Sequence, residues 1–390
     1  MKPRLDEGSC LATPPGGACA ATLRRTSAIL VTAVGMVACS SSSASGTAAK
    51  DGGAGASKLY VAMMNTSEVV ALDETSHAIL ERFPVGKYPT ALVETPDFTK
   101  LYATNLGDNT VSAIDLATHA VESIPIAGAP AIAVASPDGQ YVYVALGSKQ
   151  VAVISTASDT VTRTLAVDDA PASLAISPDG ATLYLGAVGA SLSAGAPGPL
   201  ANKVEGISAM TGAVVQPPLG VGNSPAWMSI SPDGAVVYTF NALSGDVSVV
   251  DTAHWSVTTT VSLGGSSALP GEGVVSADGR WICATNFGTA DVVGIDGKTN
   301  QVVWTAPSDG RPGAIGFRAD GTRGYYADSG HDSLSEDVLT FFSGTFMTPP
   351  TPPPTNGMEK ITAFDPMTGE AIGDPIPLPG GPGFIIVSPR

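Results

Sequence analysis

The chain has 390 residues, only 14% of them charged, and a formal net charge of −16 at pH 7. This acidic balance argues against a broad nucleic-acid surface, because such a surface needs clustered Lys and Arg. Length alone allows two or three domains, but internal repeats reduce the prediction to one domain that begins near residue 58.

The first predicted element is an export signal in residues 1–39. Two arginines precede an apolar run, Thr26 to Ala38, which is too short to span a bilayer. The run ends in "MVAC", which is similar to a bacterial lipobox and implies cleavage before Cys39 and lipidation of its thiol. Met36 stands where that motif prefers Leu, Val or Ile, and cleavage without lipidation is the alternative.

A tether is predicted to follow the signal. Residues 40–57, "SSSSASGTAAKDGGAGAS", offer little to bury and predict a flexible Ser/Gly/Ala linker. Ser rather than Asp follows Cys39, which in a Gram-negative cell favours the outer membrane, with the protein facing the periplasm or the exterior. Contact with the membrane is expected only through the N-terminal lipid. Cys10 and Cys19 belong to the signal region, so no disulfide framework is expected if Cys39 carries a lipid.

Residues 58–390 repeat with a period of about forty, the signature of a repeat architecture. A proline stands eight residues before an aspartate in six places, and a tyrosine follows five residues after the aspartate in all but one of them, where Cys283 replaces it. The six pairs are Pro89/Asp97, Pro130/Asp138, Pro171/Asp179, Pro225/Asp233, Pro270/Asp278 and Pro312/Asp320. A seventh pair, Pro382 with Arg390, lies at the C-terminal end.

Each repeat contains four short apolar or β-branched runs separated by turn residues, which predicts a four-stranded antiparallel unit with strands A to D. "SPDG" at 136–139, 177–180 and 231–234 is interpreted as the A to B turn, since Pro presets φ and Gly accepts a positive φ. The aspartates at the C to D corners are interpreted as turn caps rather than general acids: Asp115, Asp251, Asp296 and Asp365.

These units predict an all-β fold, a seven-bladed β-propeller of four-stranded blades. Residues 58–86 are expected to supply strands B to D of one blade, and the C-terminal "GPGFIIVSPR" its innermost strand A. Closing the ring with strands from both ends removes the exposed edge that an open array would leave.

The motifs also carry a family resemblance. With "LYATN" at 101–105, "DNTVSAID" at 108–115 and the SPDG corners, residues 58–390 resemble the YVTN-type β-propeller repeat family. The resemblance implies the fold but not one activity, because similar repeats occur in archaeal surface-layer proteins, bacterial periplasmic propellers, amine dehydrogenase large subunits and, more distantly, lactonases.

Two insertions between strands B and C depart from the repeat, at 187–203 and 328–357, and both are expected on the face where propellers usually bind ligands. Phe341, Phe342 and Phe346 in the second are candidate partner anchors, or else a satellite core against the blade. The same insertion contains oxygen and imidazole groups that are weaker candidates for holding a cation: His331, Asp332, Glu336 and Asp337. The alternative is that these residues form a solvated acidic loop.

Near the axis, Trp227 and Glu272 stand two residues after the repeat proline, and Glu94 stands five after it. They are candidates for binding a small polar ligand, and blade packing is the alternative interpretation. The four histidines are scattered along the chain and give no catalytic or metal constellation.

The sequence therefore favours a monomeric binding or scaffold protein of the cell envelope, with a protein or surface glycan as partner and no cofactor. The alternative is a propeller enzyme or enzyme subunit, either a lactonase-like hydrolase or the large subunit of a periplasmic dehydrogenase.

Overall fold

Twenty-eight β-strands occupy the residues that the computed structural model describes, 57–187, 202–329 and 359–389. They form seven four-stranded antiparallel sheets, which confirms the predicted seven-bladed β-propeller. Within these ranges the only helix is the short 3-10 turn Gly265–Ser267, so none is long and apolar enough to cross a membrane.

The blades are numbered along the chain, and strands A to D run from the axis outward. Blade 1 combines β28 (Pro382–Ser388) with β1 (Lys58–Met63), β2 (Glu68–Asp73) and β3 (Ile79–Pro84). Blade 2 contains β4 (Pro89–Glu94), β5 (Lys100–Asn105), β6 (Thr110–Asp115) and β7 (Val121–Pro125). Blade 3 contains β8 (Pro130–Ala135), β9 (Tyr141–Leu146), β10 (Gln150–Ser155) and β11 (Thr160–Ala166). Blade 4 contains β12 (Pro171–Ile176), β13 (Thr182–Ala187), β14 (Lys203–Ser208) and β15 (Val214–Gly220).

Blades 5 to 7 follow the same order, except that the outermost strand of blade 7 has only two residues. Blade 5 contains β16 (Pro225–Ile230), β17 (Val236–Asn241), β18 (Asp246–Asp251) and β19 (Ser256–Ser262). Blade 6 contains β20 (Pro270–Val275), β21 (Trp281–Asn286), β22 (Asp291–Asp296) and β23 (Gln301–Pro307). Blade 7 contains β24 (Pro312–Phe317), β25 (Gly324–Asp328), β26 (Lys360–Phe364) and β27 (Ile376–Pro377).

The ring closes as the sequence predicted. Strand β28 pairs with β1, Lys58 opposite Ser388, and every inner strand contacts the inner strands of both neighbouring blades. At the junction of blades 7 and 1, the Tyr325 hydroxyl donates to Glu74 Oε1 at 2.7 Å, and Arg318 lies 3.6 Å from the same oxygen. The interface between the last and first blades therefore has polar links in addition to the packing of β24 and β25 against β28.

The turns have the structure that their residues predict. In the first SPDG turn, Asp138 Oδ1 accepts from the Ser136 hydroxyl at 2.5 Å and from the Gln140 amide at 3.0 Å, while Gly139 has φ 70°. These hydrogen bonds hold the pKa of Asp138 below its usual value. Asp115 likewise accepts from the amides of Ala117 and Thr118 at its C to D corner. The interpretations of SPDG as the A to B turn and of Asp115 as a turn cap are confirmed.

Strands B and C are buried nearly throughout, because each blade packs against a neighbour on both faces, whereas the outer strands D are largely exposed. Cys283, which replaces the repeat tyrosine, is fully buried beside Val292 and Phe364. Its burial raises the pKa of the thiol well above its usual value, so it is a small apolar core residue.

The propeller has two faces. The A to B and C to D turns form one of them, here called the turn face. The B to C turns and the D to A connections form the other, called the insertion face because both long B to C connections, 188–202 and 329–359, begin and end there.

Candidate functional site

An aromatic pair lies on the propeller axis. Trp227 and Phe384 are each two residues past the repeat proline, and their ring centroids are 5.1 Å apart. Trp227 belongs to blade 5 and Phe384 to blade 1, which are not neighbours in the ring, so the contact spans the axis. Both rings are half-buried and pack against the same core as Ala91 and Ile132 of blades 2 and 3. The predicted site residue Trp227 therefore fills the centre of the ring.

Glu272 occupies the position equivalent to Trp227 in blade 6, but its side chain bonds within the protein. It is 5% exposed, and Oε2 accepts from the backbone N–H of Ile315 in blade 7 at 3.2 Å. Burial raises the pKa of the carboxyl well above its usual value, and the hydrogen bond from Ile315 opposes this rise. Glu272 joins two inner strands in this structure.

Glu94 lies at the other end of its strand, next to the turn face. Its Oε1 accepts from the Ser388 hydroxyl of the closing strand β28 at 2.8 Å. The structure thus places Trp227 and Glu272 at equivalent positions of adjacent blades, with Glu94 three residues further along its own strand. The three predicted axial residues do not converge on one pocket.

Further hydroxyl groups connect neighbouring inner strands, and the sequence interpretation did not identify them. The Thr90 hydroxyl donates to the carbonyl of Ala131 at 3.0 Å, that of Ser173 to Pro225 at 2.8 Å, and that of Ser229 to Gly273 at 2.6 Å. Together with Glu272 and Glu94 they bridge five of the seven interfaces between blades. Polar groups near the axis are therefore largely engaged in holding the ring.

The insertion face has asparagine-closed corners in blades 2, 5 and 6, where the B to C turn is short. Strand B of blades 2, 5 and 6 ends in Asn105, Asn241 and Asn286. Each amide Nδ2 donates to the first side chain of strand C, which is Thr110 at 3.0 Å, Asp246 at 2.7 Å and Asp291 at 2.7 Å respectively. In blades 2 and 5 it also donates to a serine two residues further on, Ser112 or Ser248. The asparagine of the repeat motif closes the turn within its own blade.

Blade 4, which carries the first insertion, has a charged corner instead. Strand C begins at Lys203, whose Nζ lies 2.5 Å from Asp169 Oδ2 in the connection from blade 3. Glu205, two residues later, is 4% exposed, and its Oε2 has no hydrogen-bond partner among the described residues. Burial raises the pKa of Glu205, and the opposing effect of Lys203 is smaller.

Blade 7, which carries the second insertion, repeats this arrangement. Strand C begins at Lys360, whose Nζ lies 2.8 Å from Asp309 Oδ2 in the connection from blade 6. Opposite it, Asp328 is fully buried, with Oδ1 accepting from the Ser308 hydroxyl at 2.5 Å and Oδ2 4.0 Å from Lys360 Nζ. Burial raises the pKa of Asp328 to about 6. The base of each insertion is thus tied to the preceding blade by a lysine.

The remaining predicted site residues lie outside the described residues. These are the lipidation site and the side chains of the second insertion: Cys39, His331, Asp332, Glu336, Asp337, Phe341, Phe342 and Phe346. Among the residues that the structure does describe, no three His, Cys, Asp or Glu side chains are arranged to hold a metal ion.

Comparison with known proteins gives the fold and no family. No family model matches the chain, and none of the curated proteins matches it. Among solved structures it is similar to hydrazine synthase of Kuenenia stuttgartiensis, with a TM-score of 0.61, 21% identity, and coverage of 70% of this chain and 89% of that chain.

Two further solved structures resemble the chain over most of its length. A functionally unknown protein from Desulfotomaculum acetoxidans DSM 771 has a TM-score of 0.63 at 17% identity, covering 85% of this chain and 98% of that one. The dihydro-heme d1 dehydrogenase NirN, in complex with DHE, has a TM-score of 0.54 at 17% identity, covering 82% and 73%. At these identities the likeness shows the propeller fold alone.

Proposed function

We propose that the chain is an exported, lipid-anchored β-propeller of the cell envelope that binds a protein or a surface glycan on its insertion face. The observation that carries the proposal is that the two largest departures from the repeat leave the same face. At the base of each insertion the strands are not joined by a short turn closed within the blade. Instead a lysine, Lys203 or Lys360, forms an ion pair with an aspartate in the connection from the preceding blade.

The contacts on the axis support binding on this face rather than in the central channel. The Trp227 and Phe384 rings meet across the axis, and Glu272 bonds to the neighbouring inner strand. A small ligand at these positions would have to displace the aromatic contact and a buried hydrogen bond, which costs binding free energy. A macromolecule on the insertion face displaces neither.

The alternative is an enzyme or an enzyme subunit. Two of the similar solved structures are a hydrazine synthase and a dihydro-heme d1 dehydrogenase, so propellers of this shape serve in catalytic assemblies. In such an assembly this chain would hold a partner that carries the reactive group. Absorbance from a co-purifying haem or other chromophore would favour this alternative.

The test is an affinity capture from envelope extract with residues 40–390 as bait. A second bait replaces residues 330–358 by a short Gly-Ser loop and retains Asp328, Glu359 and Lys360, so the charged corner stays intact. The matched control carries Lys298→Glu, a change at an exposed C to D turn on the turn face. All three baits are first shown to be folded by their thermal unfolding.

The proposal expects one partner that the unaltered bait and the control both capture and that the loop-replaced bait loses. The purified partner should then bind the unaltered bait and the control and should not bind the loop-replaced bait. A glycan partner is recognised by loss of capture after glycosidase treatment of the extract. Equal capture by all three baits would contradict binding at the second insertion.

A further inference from the structure

The outer strand of blade 5, β19, differs from the outer strands of the other six blades. Its sequence, SVTTTVS, contains no charged residue and no proline. Charged side chains and proline on an edge strand commonly protect it against pairing with other chains. Each of the other outer strands in the described ranges has at least one such residue: Glu81, Arg82 and Pro84 in β3; Glu122 and Pro125 in β7; Arg163 in β11; Pro217 and Pro218 in β15; Pro307 in β23; and Pro377 in β27.

The outer edge of β19 is open to a further strand. Among the described residues its one hydrogen-bonded neighbour in the sheet is β18, and five of its seven side chains are exposed. Thr258 forms a bulge, since it has no partner in β18 and its hydroxyl donates to the carbonyl of Val249 at 3.2 Å. A bulge increases the local twist, so the edge suits a short contact rather than a long one.

The sequence of β19 also reads the same in both directions, with Thr259 at its centre. Antiparallel pairing of two copies about a two-fold axis at Thr259 therefore places each residue opposite one of the same type. The pairs are Ser256 with Ser262, Val257 with Val261, Thr258 with Thr260, and Thr259 with itself. Thr–Thr hydrogen bonds and β-branched pairs stabilise adjacent strands, whereas like charges directly opposite each other destabilise them.

We propose that the partner of this edge is a second copy of the chain, bound through antiparallel pairing of the two β19 strands. The two copies of blade 5 then form one continuous eight-stranded sheet. This arrangement departs from the monomer that the sequence favoured. Because the paired strands run in opposite directions, the insertion faces of the two copies also point in opposite directions, and neither face is covered by the contact.

The charges around β19 are compatible with this pairing. Asp251 and His254 lie 3.1 Å apart in the turn that precedes β19. In the pair they come beside residues 263–268 of the second copy, LGGSSA, which contain no charge. The formal net charge of −16 opposes association of two copies, but at physiological salt the Debye length of about 8 Å limits this repulsion. Added salt should therefore strengthen the dimer.

The contact is small, which sets the expected affinity. Seven paired residues extend over about 23 Å of strand. Interfaces that bury less than about 1,200 Å² belong mostly to weak and transient complexes. We therefore expect a reversible dimer with a Kd in the micromolar range.

Blade 3 supplies the substitution that tests the proposal. Arg163 of β11 lies opposite Val153, and Thr259 of β19 lies opposite Val249, so the two residues occupy equivalent positions. The variant Thr259→Arg thus repeats a strand that this fold already contains and should leave the blade intact. In the pair it places two like charges opposite each other on the two-fold axis.

The experiment is sedimentation equilibrium of residues 40–390 over about 1 to 200 µM, the range in which a weak interface is populated. We expect the natural chain to pass from monomer to dimer. Thr259→Arg and Thr259→Glu should each raise the Kd at least about tenfold, whereas an equimolar mixture of the two variants should dimerise again because opposite charges then face each other. Thr164→Arg, at an exposed position of β11, is the matched control and should leave the Kd unchanged.

A cysteine in place of Thr259 tests the register. Residues 40–390 contain one natural cysteine, Cys283, and its full burial leaves the new thiol as the reactive one. Because position 259 lies opposite itself in the pair, mild oxidation of Thr259→Cys should give an interchain disulfide far faster than oxidation of Thr164→Cys.

Three results would overturn the proposal. The first is a natural chain that stays monomeric over the whole concentration range. The second is a dimer that Thr259→Arg leaves intact, or that the mixture of Arg and Glu variants fails to restore. The third is a monomeric chain that captures a different protein from envelope extract and loses it on Thr259→Arg, which would assign the edge to that protein.

Discussion

The asparagine-closed corners and the charged corners of the insertion face fix the start of strand C in different ways. In blade 5 the amide of Asn241 closes a short turn by bonding to the next strand of the same blade. In blade 7 a long connection leaves no turn to close, and Lys360 bonds sideways to Asp309 of the preceding connection. Where the chain departs from the repeat, a link within a blade is replaced by a link between blades.

The largest expected effect is at the charged corner of blade 7. Lys360→Met removes the cation that lies 4.0 Å from the fully buried Asp328 and should lower the free energy of unfolding at pH 8 by about 3 kcal/mol, since it leaves a buried charge uncompensated. Chemical denaturation measures the loss. The double variant Lys360→Met/Asp328→Asn should recover more than half of it; an equal loss in single and double variants would contradict the charge argument.

The asparagine-closed corner should show a smaller loss without dependence on pH. Asn241→Ala removes three hydrogen bonds of a buried amide, two donated to Asp246 and Ser248 and one accepted from Thr239, and should cost about 2 kcal/mol. Because an amide does not titrate, denaturation at pH 5.5 and pH 8 should give the same loss. The exposed Asn65→Ala is the control, with an expected effect within about 0.5 kcal/mol.

Asp328 itself gives the charged corner a pH dependence of defined sign. Its folded pKa of about 6 lies above the ordinary value of 3.8, so its contribution to stability is present below about pH 4 and is lost as the pH rises through about 6. Asp328→Asn removes that loss. Relative to the natural protein, the variant should gain about 2 kcal/mol in the free energy of unfolding between pH 4 and pH 8, because each unit of pKa difference corresponds to about 1.4 kcal/mol. A flat difference across that range would show that the carboxyl does not titrate there.

The smallest effect is expected at the charged corner of blade 4. The side chains of Lys203 and Asp169 are 29% and 27% exposed, so solvent screens their ion pair. In a Glu205→Gln background, which removes the buried carboxyl beside Lys203, Lys203→Met should cost less than about 1 kcal/mol, and the loss should shrink further in 0.5 M salt. Lys149→Met, which removes a more exposed lysine 3.9 Å from the same aspartate, is the matched control and should have no measurable effect.

The fold was predictable because its signals are local. The proline-to-aspartate spacing marks strand A and its turn in each blade, and the tyrosine marks strand B. The closing strand followed from the orphan "SPR" at the C-terminus, and its pairing with β1 is confirmed. Turn chemistry also gave the roles of Asp138 and Asp115 correctly, since each bonds to backbone within three residues.

The candidate site was less predictable because its contacts are not local. Trp227 meets Phe384 only because a ring of seven brings opposite blades within reach, and no spacing in the sequence encodes that distance. Glu272 stands out as a charged residue in an apolar strand, but its partner is a backbone N–H of another blade. The corner lysines had a usable signal, since strand C begins with Lys only in the two blades that carry insertions.

The pairing of β1 with β28 also sets when the molecule can be completed during synthesis. About 320 residues separate Met63 from Pro382, and at 5–20 residues per second a ribosome needs roughly 15 to 60 seconds to translate them. Until then the edge of β1 has no partner, which is a hazard for association with other chains. A product released before β28 is translated would keep that edge open.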